Sequence, residues 1–185
     1  QSQDKSAIEV GARVVVIGGG MTAVDAAVQA KKLGADEVTI AYRRGPAEMG
    51  ASRYEQELAQ VSGVRILHWV APKQVVTDGN AVAAVDFERT ALDASGRLTG
   101  TGRSIRLAAD QVMKAIGQTF VSGPVESGET VALDGGRIAV DGDMRTSLAK
   151  VWAGGDCVRG GEDLTVQAVD HGKRAALSIH AALSS

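Results

Sequence analysis

The sequence predicts a three-layer α/β fold that carries an antiparallel β insert and is followed by a second, smaller segment. A glycine turn at residues 18–20 directly follows an apolar run, and strand and helix patterns alternate up to residue 70. The residues Asp78, Gly79 and Asn80 then introduce a hairpin signal. Alternating strands and helices are typical of a parallel sheet, whereas tight turns of this kind join antiparallel strands.

The first βαβ unit is predicted from the spacing of its apolar residues. Arg13–Ile17 is a β-branched run typical of a buried parallel strand. Apolar residues recur at helical spacing over residues 21–33, and Gly34 is expected to end this helix. Glu37–Tyr42 is predicted as the second strand, which completes the unit.

A loop over residues 45–52 and a helix over residues 52–61 are predicted next, and a third strand over residues 64–70. The helix carries three apolar residues on one side, namely Tyr54, Leu58 and Val61. The insert begins with strands over residues 73–77 and 81–89. The polar stretch 93–103 is interpreted as a loop, residues 104–107 as a returning strand, and residues 111–116 as a buried strand of the main sheet.

A domain boundary is expected near residues 117–122, where an irregular stretch that includes Pro124 begins. The predicted domains are therefore residues 1–117 and 118–185. In the second, a hairpin is predicted from residues 131–133 and 137–140 around Gly135 and Gly136. A short strand over residues 151–153 and a long helix over residues 164–183 follow, with Val166, Val169, Ala176 and Leu177 among its apolar positions.

Composition excludes several classes of protein. The chain has 185 residues, is 44% hydrophobic and has a net charge of −2, which leaves no basic footprint for nucleic acid. The sequence has no apolar run of the roughly 20 residues that a membrane helix needs. Its single cysteine, Cys157, excludes an internal disulfide and any iron–sulfur cluster ligated by this chain alone. We expect the protein to be cytoplasmic. We also expect it to contain no metal site.

The glycine turn predicts a dinucleotide site in a Rossmann-like domain. It matches the pattern G-x-G-x-x-G/A, in which small residues permit the tight turn, the approach of a pyrophosphate and close packing of helix on strand. The helix that follows presents free N–H groups to phosphates. The predicted cofactor-binding residues here are Gly18, Gly19, Gly20, Met21, Thr22 and Ala23. A structural turn without a ligand is the alternative.

Two arginines predict which dinucleotide binds. An NAD-binding domain carries an acidic residue near the end of its second strand, whereas this chain carries Arg43 and Arg44 there. A guanidinium binds a 2′-phosphate in bidentate geometry, so NADPH is predicted. Arg53 is a third candidate, although it is equally interpreted as an exposed helix residue. A solvated basic turn is the alternative for the pair.

A second candidate site follows the short strand at residues 151–153. The order of an apolar strand, Gly155-Asp156 and a helix beginning near Thr165 and Val166 resembles flavoproteins with two dinucleotide-binding domains. Residues 18–27, Tyr42 to Gly45, Glu48-Met49 and residues 154–176 are similar to the glutamate synthase small-subunit group. That group includes the NADPH-binding part of dihydropyrimidine dehydrogenase.

The resemblance implies a role for each of these segments. Asp156 is expected to hydrogen-bond the ribityl chain of FAD, and the helix beginning at Thr165 and Val166 to point its amino terminus at the flavin. A turn or helix-cap residue is the alternative for Asp156. The strand end at Ala115, Ile116 and Gly117 is expected near the nicotinamide half of NADPH, or else to be only a buried strand terminus. Because hydride transfer needs no protein acid or base at the transfer step, no catalytic residue is predicted.

The resemblance also implies a longer protein. Members of this group have an amino-terminal cysteine-rich segment and an FAD-binding glycine motif, which this sequence lacks, so we expect the chain to be a C-terminal portion. Residues 118–185 then correspond to the returning C-terminal segment of a split FAD-binding domain. The polar run at residues 1–6 fits an inter-domain connection. Expected partners are the missing N-terminal FAD and iron–sulfur part and a large catalytic subunit, and self-association of the chain is expected.

Three functions remain open from the sequence. The first is an NADPH-dependent FAD oxidoreductase module that passes electrons onward to an iron–sulfur partner. The second is an NADPH-binding regulatory or assembly module without flavin chemistry. The third, a stand-alone dehydrogenase, ranks last because neither Tyr42 nor Tyr54 has the setting of a proton donor. Thioredoxin reductases share the architecture but carry a redox cysteine pair in this domain, which the sequence lacks.

Overall fold

The computed structural model describes residues 8–122 and 130–184 and divides the chain into two compact units, Gln1–Gly117 and Gln118–Ser185. The polar run at residues 1–6 and Pro124, both interpreted from the sequence, lie outside the described residues. No helix among the described residues is long and apolar enough to cross a membrane.

A four-stranded parallel sheet forms the middle layer of unit 1. Its strands are β1 (Arg13–Ile17), β2 (Glu37–Tyr42), β3 (Val64–His68) and β7 (Gln111–Lys114), in the order β3-β2-β1-β7. The order reverses between β1 and β7, because the chain winds outward from β1 to β3 and then returns to the other side of β1. In open α/β sheets, ligands bind at the carboxyl ends of the strands at such a switch point.

Two helices cover one face of this sheet. They are α1 (Met21–Lys32) and α2 (Arg53–Val61), with a short 3₁₀ turn at Pro46–Glu48 between β2 and α2. Alternate residues of β1 point to opposite faces, as strand geometry requires. Val14 and Val16 are buried with the helices, whereas Val15 is buried in the core on the other face.

The antiparallel insert covers the other face and forms the third layer. It consists of β4 (Val70–Asp78), β5 (Ala81–Leu92) and β6 (Leu98–Ala108), in the order β4-β5-β6. Val85 and Phe87 of β5 are fully buried in the same core as Val15. The three-layer α/β architecture with an antiparallel insert is therefore confirmed.

Several strand boundaries in unit 1 differ from the prediction: β4 begins at Val70 rather than residue 73, β5 ends at Leu92 rather than residue 89, and β7 ends at Lys114 rather than residue 116. Two further differences have a visible cause. The third strand was expected to reach residue 70, but Trp69 has φ 60° and separates β3 from β4. The stretch 93–103 was expected to be a loop, but β6 already begins at Leu98. Its polar and glycine residues are compatible with a strand because most of β6 is exposed and lies at the edge of the insert.

The described residues of unit 2 form little regular sheet and one long helix. The hairpin of β8 (Leu133–Asp134) and β9 (Arg137–Ile138) turns at Gly135 and Gly136, as expected. The prediction of a strand at residues 151–153 was wrong in extent, because this segment forms only an isolated antiparallel β-bridge between Trp152 and Arg145. The helix α3 (Thr165–Ser184) lies where the sequence predicted, and a 3₁₀ turn at Gly155–Cys157 precedes it.

The apolar stripes of α2 and α3 do not face a core. Tyr54 and Val61 of α2 are 73% and 83% exposed, and the buried residue of that helix is Ala59. In α3, Val166, Val169 and Leu177 are exposed, whereas His171 and Ser178 are buried. Apolar spacing located both helices but did not identify the face that each one buries.

Candidate dinucleotide site and flavin turn

The candidate dinucleotide site lies at the carboxyl ends of the parallel strands. Gly18 follows β1 and Ala115 follows β7, and these two residues are in direct contact across the switch point. The amide of Ala115 donates to the carbonyl of Ile17 at 2.8 Å. The structure therefore brings the predicted glycine turn and the predicted strand end at Ala115, Ile116 and Gly117 to the same edge of the sheet.

Gly18 and Gly20 have different physical tasks. Gly18 has φ 153°, and a Cβ on it would lie 2.1 Å from the carbonyl oxygen of Ala115. A Cβ on Gly20 would meet no atom within 4 Å, so the space beside it is open. Ala23, the last small residue of the motif, is fully buried against the sheet. The turn thus packs tightly on one side and leaves room for a group such as a pyrophosphate on the other.

The amino terminus of α1 is suited to an anion. Its N-cap is Gly20, which provides no side-chain cap, and its first turn contains no acidic residue. Met21 and Thr22 at the start of the helix are exposed. Uncapped N–H groups and the helix dipole attract negative charge at this position. The amino terminus of α2 differs, because Ser52 and Glu55 form a complete capping box there.

Tyr42 is a structural part of this site that the sequence analysis missed. Its ring lies against Gly19, where a Cβ would be 2.3 Å from the nearest ring carbon. Its hydroxyl donates to the carbonyl of Glu48 at 2.5 Å. The amide of Ala51 also donates to the carbonyl of Gly19 at 3.0 Å. The loop after β2 is therefore held against the glycine turn, and the only sequence signal was an aromatic residue just before the two arginines.

Arg43 and Arg44 follow directly after β2 and are held by their backbones. The carbonyl of Arg43 accepts from Thr90 Oγ1 at 2.7 Å, and that of Arg44 accepts from the Trp69 amide at 3.2 Å. Arg43 is exposed and Arg44 is half-buried. Within residues 8–122 and 130–184, neither guanidinium forms an ion pair. Both are thus free to bind an anion.

Two further residues lie near this loop. Arg53 is the exposed first residue of α2, two positions after Ala51, which contacts the glycine turn. His68 ends β3, and its Nε2 lies 3.3 Å from Met49 Sδ. Burial lowers the pKa of His68, and the nearby charge of Glu48 partly opposes this.

The candidate flavin turn lies in unit 2. Gly155 has φ 83°. A Cβ added to it would lie 3.8 Å from the Cβ of Ala168 in α3, so the turn packs on the beginning of the helix. The carboxylate-bearing Asp156 is exposed, as are Thr165 and Val166 at the start of α3. The amide of Gly155 donates to Nδ1 of His171 at 3.1 Å. His171 is itself a buried residue.

Comparison with known proteins identifies a family for most of the chain. Residues 1–172 match the family described as pyridine nucleotide-disulphide oxidoreductase. The chain is 38% identical over 178 residues to the glutamate synthase [NADPH] small chain of Escherichia coli K12. It is also 38% identical over 177 residues to the NADP(+)-dependent formate dehydrogenase subunit beta of Moorella thermoacetica.

These relatives are longer than the chain. The alignments cover 90% of this chain but 38% and 24% of the two relatives, respectively. Among solved structures, thioredoxin reductase from T. acidophilum matches with a TM-score of 0.78 and 26% identity. That match covers 94% of this chain and 53% of the reductase. The likeness fits the shared architecture that the sequence analysis expected.

Proposed function

This chain belongs to the pyridine nucleotide-disulphide oxidoreductase family, and from that membership we propose that it is the NADPH-binding part of a flavoprotein oxidoreductase. In the proposed reaction, hydride passes from NADPH to FAD, and electrons then pass to an iron–sulfur centre in a partner segment or subunit. The final acceptor is a property of that partner. A cytoplasmic location is part of the proposal, supported by the single cysteine of the chain.

The observation that carries the proposal is the open space beside Gly20 at the uncapped amino terminus of α1, together with two arginines after β2 that form no ion pair with any residue the structure describes. A pyrophosphate would lie beside Gly20 and accept hydrogen bonds from the backbone N–H groups of Met21 and Thr22 at the start of α1, whereas the Ala23 amide donates to the Gly20 carbonyl at 3.0 Å. The ring of Tyr42 and the contact of Gly18 with Ala115 fix the shape of this turn before any ligand binds. Preorganised donors bind an anion with little reorganisation cost.

Preference for NADPH over NADH is assigned to Arg43 and Arg44. The adenosine 2′-phosphate is the group that distinguishes the two cofactors, and an arginine fork binds it with charge-assisted hydrogen bonds. Arg53 at the start of α2 adds a third positive charge near the same loop. The relatives named for NADPH and NADP(+) support this preference.

The FAD part of the proposal concerns unit 2. Asp156 would accept hydroxyls of the ribityl chain, and the amino terminus of α3, at Thr165 and Val166, would face the flavin. No acidic residue lies in the first turn of α3, which suits negative charge on a reduced flavin. FAD supplies the two-electron acceptor chemistry when bound. The remaining FAD contacts are proposed to come from a longer protein, since the chain spans less than two fifths of the relatives it matches.

The NADPH assignment is tested by replacing both arginines. R43A/R44A is expected to weaken NADPH binding about 100-fold and NADH binding less than about 3-fold, from roughly 1.4 kcal/mol per lost charged hydrogen bond. Calorimetric titration of the 185-residue chain with each cofactor measures this. The control R97A/R103A removes the same charge from the insert and should change neither affinity. Equal losses for NADPH and NADH in R43A/R44A would exclude the 2′-phosphate assignment.

The flavin assignment is tested in the full-length protein that carries these residues. Bound FAD that is bleached by NADPH in anaerobic solution would support electron input to flavin. A full-length protein that binds NADPH but no FAD would instead support the regulatory or assembly module. The 185-residue chain alone is expected to bind FAD weakly or not at all, because it carries one glycine-motif dinucleotide turn.

A further inference from the structure

His171 is a buried, titratable residue to which the proposed reaction assigns no role. It lies in the second turn of α3, is 7% exposed and belongs to a helix whose other side chains are mostly exposed. A histidine costs more to bury than an apolar residue unless its ring nitrogens have partners. Its environment therefore indicates what it contributes to the fold.

The histidine is bound to the Gly154–Asp156 turn in two ways. Its Nδ1 accepts from the backbone N–H of Gly155 at 3.1 Å. Its Cβ lies 2.7 Å from the position that a Cβ on Gly154 would occupy, so the backbone of the turn is pressed against the histidine. Both contacts join α3 to the turn immediately before Asp156.

The hydrogen bond fixes the protonation state that the turn requires. Because Nδ1 accepts, the ring proton of neutral His171 must be on Nε2. Protonation would place a second N–H on Nδ1, facing the N–H of Gly155, and two donors cannot bond. Only the ring that carries its proton on Nε2 can therefore make this contact.

We propose that His171 is a positioning residue for the flavin: it holds the Gly155 amide and thereby fixes Asp156 for the ribityl hydroxyls. The inference rests on the proposed function of the turn in binding FAD. It adds a residue outside the Gly-Asp motif, whose ring must present an acceptor at Nδ1 to hold the turn.

Two variants separate positioning from general structure. His171→Asn keeps an acceptor oxygen near the place of Nδ1 but cannot be protonated, and His171→Leu has similar bulk but no acceptor. In the 185-residue chain, imidazole nitrogen shifts should show the Nε2–H form. The Gly155 amide signal should keep its hydrogen-bonded shift in H171N and lose it in H171L. An Nδ1–H imidazole at neutral pH would overturn the inference.

The second measurement is the FAD affinity of the full-length protein at pH 7.5, followed by flavin fluorescence. H171L is expected to bind FAD about 10-fold more weakly than the wild type, and H171N about as well as the wild type, because H171N keeps the acceptor. Equal binding by H171L and wild type, or equal losses in H171L and H171N, would overturn the role of His171. A wild type that binds no FAD would instead overturn the proposed function and this inference with it.

Discussion

At the scale of single residues, Tyr42 links the two halves of the candidate NADPH site. Its ring covers Gly19 of the glycine turn, and its hydroxyl holds the carbonyl of Glu48 in the loop that follows the arginines. One side chain thus connects the surface that would meet the pyrophosphate with the loop that would meet the 2′-phosphate.

Loss of the hydroxyl should loosen this link without emptying the space under the ring. Tyr42→Phe is expected to weaken NADPH and NADH about equally, by roughly 5-fold, because one neutral hydrogen bond contributes about 1 kcal/mol. Fluorescence titration with both cofactors measures the change. Tyr54→Phe on the exposed face of α2 is the matched control and should bind as the wild type does. An unaltered affinity in Y42F would show that the hydroxyl has no part in binding.

His68 should make the stability of the protein depend on pH. Burial lowers its pKa in the folded state below the ordinary value of 6.5, so the unfolded chain binds a proton first as pH falls. The contribution to the free energy of unfolding is full above about pH 6.5 and decreases as pH falls from there through the folded-state pKa.

Urea unfolding at several pH values, in wild type and His68→Gln, measures this contribution. The difference between the two proteins is expected to change below pH 6.5 and to be constant above it. A difference that does not vary between pH 5 and 8 would contradict the effect of burial on His68.

At the scale of elements, the two helices of unit 1 use their amino termini differently. The amino terminus of α2 is satisfied internally, since Ser52 Oγ accepts from the Glu55 amide and Glu55 Oε2 accepts from the Ser52 amide. The amino terminus of α1 is left without a side-chain cap beside the open space at Gly20. Of these two helices, α1 is therefore the one suited to a bound phosphate.

Removal of the α2 cap should cost stability but leave the cofactor site intact. Ser52→Ala is expected to lower the free energy of unfolding of unit 1 by about 1 kcal/mol, as for other helix N-caps. Urea unfolding followed through backbone amide signals of unit 1 measures it. Ser104→Ala on the exposed face of β6 is the control. No loss in S52A relative to S104A would mean that the capping box does not stabilise α2.

At the scale of the whole molecule, unit 2 exposes an unusual amount of apolar surface on α3. Val166, Val169, Leu177 and Leu183 are each more than 60% exposed. Large exposed apolar patches commonly mark surfaces that another segment or chain covers. This is the surface that the proposed FAD-binding partner segment would cover.

The 185-residue chain is accordingly expected to self-associate through α3. Sedimentation velocity should show larger species as concentration rises, and V169Q/L177Q should shift them toward monomer. V61Q/V75Q, which alters exposed valines of unit 1, is the matched control and should associate as the wild type does. A wild type that stays monomeric throughout would contradict this use of the α3 surface.

The sequence by itself determined the elements whose signals are local. The glycine residues at positions 18, 34 and 135 marked the first turn, the end of the first helix and the hairpin. The apolar run at residues 13–17 marked β1. These signals are local because they depend on neighbouring residues in the sequence. The same local signals placed the dinucleotide motif and the arginine pair. They did not resolve the break at Trp69 or the early start of β6, since those depend on which strand lies alongside.

Only the tertiary structure decided which faces are buried and which side chains brace the candidate sites. Periodicity grouped Tyr54, Leu58 and Val61 on one side of α2, but packing buries Ala59 instead. Tyr42 contacts Gly19, which is 23 residues away in the sequence, and His171 contacts Gly155, which is 16 residues away. Both contacts form only when the strands and helices pack together. Such contacts have no signature in local sequence, because burial and hydrogen bonding between distant residues are set by the packing of whole elements.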